Sequence, residues 1–227
     1  MSGFGTASHL ANDAAPAGHT GLVGEAGRQG RTGLAHGGAG EDRPALARDE
    51  SEEVPRAMLP ALAAALAREL IRRVDEDHRL TKEAPTSPRR DARRRIDDCR
   101  RDNGEALRTI VRRHGWPTAD LVGAPASTAA LMILLHAPDL DFQLACRDLI
   151  ARAVADGHCP APHHAYIADH CAVELDEPQF YGTRVDPATF RPYPVRRPGT
   201  LDERRRDVGL CPLDEQMRTL RLGSLGN

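Results

Sequence analysis

The sequence predicts a mainly α-helical fold: a compact helical domain with a short extended or hairpin segment near its C-terminus, preceded by a disordered tail. Three observations predict it. Leu59, Leu62, Leu66, Leu70 and Val74 recur every three or four residues in an alanine-rich stretch, the spacing that lines one face of a helix. Phe142, Cys146, Leu149, Ile150, Ala153 and Val154 repeat at similar intervals. Before about Val54 the chain is rich in Gly, Ala, His and acidic residues with no sustained period, so it buries too little apolar area to offset its ordering entropy. The expected division is a disordered tail over residues 1–54 and a single helical domain over 55–227.

The first helix is expected from Pro55 to about Leu80, and Ala84–Pro88, with two prolines, is expected to break it. A second helix is expected over Arg89–His114. Its first half alternates Arg and Asp, which favours intrahelical pairing, and its second half sets Leu107, Ile110 and Val111 on one face. Gly115-Trp116-Pro117 stops it, since Gly suits the position after a helix and a residue before Pro avoids helical angles. Ser127-Thr128 then offers a cap for a short helix around Leu131-Met132-Ile133-Leu134-Leu135, which is apolar all round and expected to be buried, with His136 at its end. A helix follows Pro138 and ends before Gly157, and another runs from Pro162 to about Val173. Gln179–Val185 and Phe190–Val195 are aromatic, β-branched and punctuated by proline, the signature of two short extended pieces. Arg204-Arg205-Arg206 leads through Val208-Gly209-Leu210 into a short final helix.

Composition narrows the function classes. The 31 basic and 33 acidic residues give a formal net charge of −2, so no global field argues for nucleic acid or an anionic membrane as partner. Lys82 is the only lysine, a bias that fits a high-GC bacterial genome. The five cysteines are odd in number and contain no Cys-x-x-Cys pair, which argues against a disulfide framework. The longest apolar run, Ala129–Leu135, is too short to span a bilayer, and the N-terminus has no signal-peptide pattern, so the cytoplasm is the expected location. No phosphate-binding Gly-x-x-x-x-Gly-Lys-Ser/Thr loop, dinucleotide Gly-x-Gly-x-x-Gly or Gly-x-Ser-x-Gly elbow occurs. No cofactor is expected on that basis, and a small-molecule ligand is the expected partner. Oligomeric state is not readable.

Asn103 with Leu107, Gly115-Trp116-Pro117, the apolar run ending in His136, Gln143, Asp169, Gln179 with Tyr181-Gly182-Thr183, and Arg205 with Gly209-Leu210 form a combined pattern. It resembles an uncharacterised bacterial family of unknown function, in which the pattern reads approximately Asn, Gly-Trp-Pro, Gln-His, Gln, Asp-Arg, Gln-x-Tyr-Gly-Thr-Gln and Arg-Arg-x-x-Gly-Leu. The resemblance covers roughly Pro55 to Leu213. This chain departs from it at Leu135, where Gln is usual, at His170 in place of Arg, and at Arg184 in place of the second Gln.

Each patterned polar residue has a functional and a structural reading. His136 is a general acid or base oriented by Asp139, Asp141 or Asp169, or a histidine favoured at a helix C-terminus by the dipole. Gln143 orients a substrate or His136, or ties two helices together. Gln179, Tyr181 and Thr183 form a ligand-binding loop around Gly182, or a structural turn. Arg205, with Arg204 and Arg206, holds a phosphate or carboxylate, or forms a solvated face paired with Asp202, Glu203 and Asp207. His158, Cys159, His163, His164, His170 and Cys171 have zinc-ligand chemistry but no recognised ligand spacing, so no metal is expected. The expected site is therefore His136 and Asp169 as catalytic groups, with Gln143, Gln179, Tyr181, Thr183 and Arg205 binding substrate. Two functions follow as expectations: a small cofactor-independent hydrolase-like or transferase-like enzyme acting on a small polar or anionic substrate, or a non-enzymatic helical interaction or regulatory module.

Overall fold

The computed structural model of the protein describes residues 59–84 and 89–225. The expected tail over 1–54 and most of the expected break at Ala84–Pro88 lie outside the described residues. Eight α-helices are described: α1 (Leu59–Glu83), α2 (Arg90–His114), α3 (Ala119–Val122), α4 (Ala124–His136), α5 (Leu140–Ala155), α6 (Ala161–Glu174), α7 (Leu201–Asp207) and α8 (Leu213–Leu225). Between α6 and α7 lie β1 (Val185–Asp186) and β2 (Arg191–Pro192), followed by a 3₁₀ turn at Pro198–Thr200.

The apolar helix α4 is the centre of the molecule. Its residues Ala129–Leu135 are all buried, and it packs against α1, α2, α3 and α6. Each fully buried Leu in that stretch contributes roughly 1.5–3 kcal/mol. The helix begins at Ala124, earlier than the expected cap at Ser127-Thr128, which correspondingly lies inside it. Gly123, at φ 83°, turns the chain, and Pro125 occupies the first turn, where a missing N–H costs nothing.

Around α4 the periodic helices present the faces their spacing dictates. α1 buries Leu70 and Val74, while its outer face pairs Arg72 with Glu69, and Arg79 with Glu76 and Glu83. α2 buries Leu107, Ile110 and Val111, and Arg94 and Arg101 pair with Asp98 on its solvent side. At its end the N–H of Gly115 donates to the carbonyl of Val111 with φ at 75°, a left-handed conformation that side chains other than glycine's rarely tolerate. α5 starts at a cap that Asp139 supplies by accepting from the N–H of Phe142 at 2.9 Å, and it lies along α6.

The two extended pieces do meet. β1 pairs antiparallel with β2, Val185 opposite Pro192 and Asp186 opposite Arg191, and Gln179 bridges Val195 beyond them. The ladder stays this short because Pro192 and Pro194 have no N–H to donate. Among the described residues no helix is long and apolar enough to cross a membrane.

Candidate functional site

One position of the buried stripe of α1 carries a carboxylate. Asp77 follows Leu70 and Val74 at helical spacing, so the same face that builds the core takes an acid inside, to 5% exposure. A buried carboxylate needs partners, and among the described residues it finds them on two other helices. Its Oδ2 lies 2.6 Å from Nδ1 of His136, at the end of α4, and its Oδ1 accepts from Nε of Arg100, on α2, at 3.1 Å. Burial pushes the Asp77 carboxyl up, but its contacts with His136 and Arg100 outweigh that and hold it below the usual carboxylate value. Asp77 is therefore an anion at neutral pH and can only accept, so Nδ1 of His136 carries the proton. In that tautomer Nε2 is the basic nitrogen.

Val74, Asp77, His78, Arg100, Asn103, Met132, Ile133 and His136 surround a small cavity, about 10 Å³. That is about the room one water molecule needs. Asn103 fixes the wall between α1 and α2: its Oδ1 accepts from Nη1 of Arg73 at 3.0 Å, and its Nδ2 donates to the Arg73 carbonyl at 3.3 Å.

The other six expected site residues do not line this cavity. The carboxylate on His136 is that of Asp77, whereas Asp169 accepts from the N–H groups of Phe180, Tyr181 and Thr183 and from the Thr183 hydroxyl. Asp139, another of the carboxylates weighed for His136, caps α5 and pairs with Arg108 at 2.7 Å. Gln143 donates to the carbonyls of Leu134 and Ala137 at 3.0 and 2.9 Å, tying the end of α4 to α5. Gln179 donates to the carbonyls of Arg184 and Tyr193 and accepts from the Arg184 N–H at 2.7 Å, completing with its side chain the pairing that the prolines interrupt. Tyr181 is half-buried, its N–H on Asp169 and its carbonyl accepting from Arg205 at 2.6 Å. Between Tyr181 and Thr183 the chain turns at Gly182, whose φ is 64°.

Arg205 is fully buried and differs from both of its expected readings. Its guanidinium donates to the carbonyls of Tyr181 and Cys211 and to the side chain of Gln216, and so ties the 180–183 loop to the start of α8. Arg204 likewise donates to main-chain oxygens, of Phe180, Arg196 and Arg197. Asp202, expected to pair with these arginines, accepts instead from the N–H of Leu213 at 2.9 Å.

Of the histidine and cysteine set at 158–171, the structure brings Cys159 Sγ within 3.4 Å of His163 Nδ1. Burial pushes the Cys159 thiol up to about 11 and the His163 ring down to about 4, so both are neutral at pH 7 and no thiolate nucleophile forms. His158 instead pairs with Asp120 on the surface. Among the described residues no group of three or more His, Cys, Asp or Glu is placed to hold a metal ion.

Asp77 and Arg100 are the site residues that sequence reasoning missed. A signal existed for the first: an acid in register with Leu70 and Val74. Arg100 had none, since it sits in a run of alternating charges where one half-buried arginine looks like its exposed neighbours.

No curated protein and no solved structure matches the chain. A family model does, over residues 61–224, and with it the greater part of the sequence: the chain belongs to the family of unknown function DUF6624.

Proposed function

We propose that the protein is a small cofactor-independent enzyme, hydrolase-like or transferase-like, in which His136 moves a proton and Asp77 holds its ring. The observation that carries this reading is that Asn103 and His136, far apart in sequence, line one cavity together with the Asp77 and Arg100 pair. An imidazole held by a carboxylate at Nδ1 directs its basic nitrogen at a fixed position, the arrangement a general base needs. The cavity admits only a water-sized group. The reacting part of a substrate is accordingly small and polar, and its remainder lies outside.

The contrary reading, a helical interaction or regulatory module, draws on the residues engaged with main-chain groups: Gln143, Asp169, Gln179, Thr183 and Arg205 brace the frame. A thermal-shift screen of the full chain separates the two, wild type beside His136→Gln, against nucleotides, sugar phosphates, amino acids and acyl thioesters. A ligand at a hundredfold excess over its dissociation constant adds roughly 2.7 kcal/mol, a shift of several degrees. One compound class that stabilises the wild type and not His136→Gln supports the enzyme and names its substrate. If no class binds and the substitution only lowers the melting temperature, the module replaces it.

A further inference from the structure

Asp77 is a carboxylate 7% exposed at its side chain, with one oxygen facing Arg100 and the other facing His136. A buried anion requires a compensating cation, and among the described residues Arg100 and His136 both hydrogen-bond it. A guanidinium brings a permanent charge, whereas an imidazole supplies a positive charge only by taking up a proton. An imidazolium has no lone pair with which to accept another. Whichever neighbour neutralises Asp77 therefore decides whether His136 is a base.

We propose that Arg100 is a positioning residue for His136: by neutralising Asp77 from the opposite side, it keeps the imidazole neutral, protonated at Nδ1 and competent as a base near pH 7. The inference rests on the proton-handling reading of His136. The placement fits the role, because Arg100 comes from α2, Asp77 from α1 and His136 from α4, so three packed helices fix the relay. Asn103, one turn after Arg100, locks α2 to α1 through Arg73. Other titratable groups near the relay come from α1, α2 and α6. His78 lines the same cavity on α1, and Cys99 on α2 feels the Asp77 charge with its thiol pushed up, mainly by burial. On α6, His170 is kept neutral by burial, its ring pushed down to about 3, with the Arg184 charge adding to that effect.

The test reads the ring directly and needs no substrate. In full-length protein with ¹⁵N-labelled histidine, the ring nitrogen shifts of His136, assigned with His136→Gln, report tautomer and protonation at pH 7. In wild type the ring should be neutral with its proton on Nδ1. In Arg100→Gln, and in Arg100→Met, which keeps the apolar stem if the amide disturbs folding, the ratio of imidazolium to neutral ring should rise at least about tenfold, the usual effect of one lost neighbouring charge. Arg100→Lys should return the ratio to near the wild-type value, because charge is the agent. A ring that stays neutral in folded Arg100→Gln or Arg100→Met, or a lysine variant that behaves like the neutral ones, overturns the role of Arg100. A wild-type ring protonated at Nε2 instead overturns the reading of His136 itself, so the two failures are distinguishable.

Discussion

The backbone N–H and the hydroxyl of Thr183 both donate to the same carboxylate oxygen of Asp169, at 2.8 and 3.0 Å. The other oxygen takes the N–H groups of Phe180 and Tyr181, so one fully buried side chain on α6 gathers a loop that has almost no regular structure of its own. Burial raises this carboxyl above the usual range against the pull of those four donors. Replacing Asp169 by Ala leaves several buried donors without acceptors, at about 1–3 kcal/mol each, so the expected loss is at least about 3 kcal/mol in urea unfolding. Asp169→Asn should fall between, since an amide offers only one acceptor oxygen. A loss under about 1 kcal/mol for Asp169→Ala would show that the loop is held elsewhere.

Arg205 closes the same loop from the opposite end, and its fork geometry matters more than its charge. Three separate acceptors surround the guanidinium, on Tyr181, Cys211 and Gln216. A lysine reaches one or two of them at most. Arg205→Lys should therefore destabilise by about 2–4 kcal/mol and lower the melting temperature nearly as much as Arg205→Met. A lysine variant as stable as wild type would argue that a single contact suffices.

The sequence reveals the helices that have one wet face and hides what depends on contacts distant along the chain. Leu70 and Val74 on α1, and Leu107 and Val111 on α2, repeat at 3.6 residues because each helix buries a single stripe. Helix α4 has no such stripe, being buried all round, so Ser127-Thr128 imitates a helix start although Gly123 and Pro125 hold the better signals. The polar positions of the pattern were legible as a set, but their partners were not. A buried Gln bonded to carbonyls and a buried Gln awaiting a ligand look identical in sequence. Asp77 shows the same difficulty in reverse, since an acid on a helix reads as surface until its face is known.

Gln143 gives that distinction a measurable form. Its amide donates to two carbonyls at the α4 terminus, those of Leu134 and Ala137, the first of which also accepts from the N–H of Ala137. Gln143→Leu keeps the bulk and removes the donors, and should cost about 1–3 kcal/mol by chemical denaturation. It should also loosen His136, two residues beyond Leu134, which faster exchange of the His136 backbone amide would report. Unchanged stability would return Gln143 to the list of ligand-binding candidates.

Stability should fall on mild acidification, and two histidines on α6 set the slope. Burial lowers His163 from 6.5 to about 4 and His170 from 6.5 to about 3. A histidine with a lowered folded value binds its proton more readily when unfolded, so its full contribution is present above pH 6.5 and is lost progressively as pH falls through that value toward the folded one. His164 acts in the same direction, chiefly through burial. Asp77, held below its ordinary 3.8, loses its contribution only further down, as pH falls through its folded value. Between pH 6 and 4.5 the histidine slope is thus largely separate from that carboxylate, at up to roughly 1.4 kcal/mol per pH unit for each proton. Urea unfolding of His163→Gln, His170→Gln and the double variant across that range should show the slope shrinking with each substitution, whatever the variants do to stability at pH 7. A double variant as acid-sensitive as wild type would mean that neither ring is held neutral in the folded protein, and that α6 tolerates imidazolium where the packing leaves no visible counter-charge.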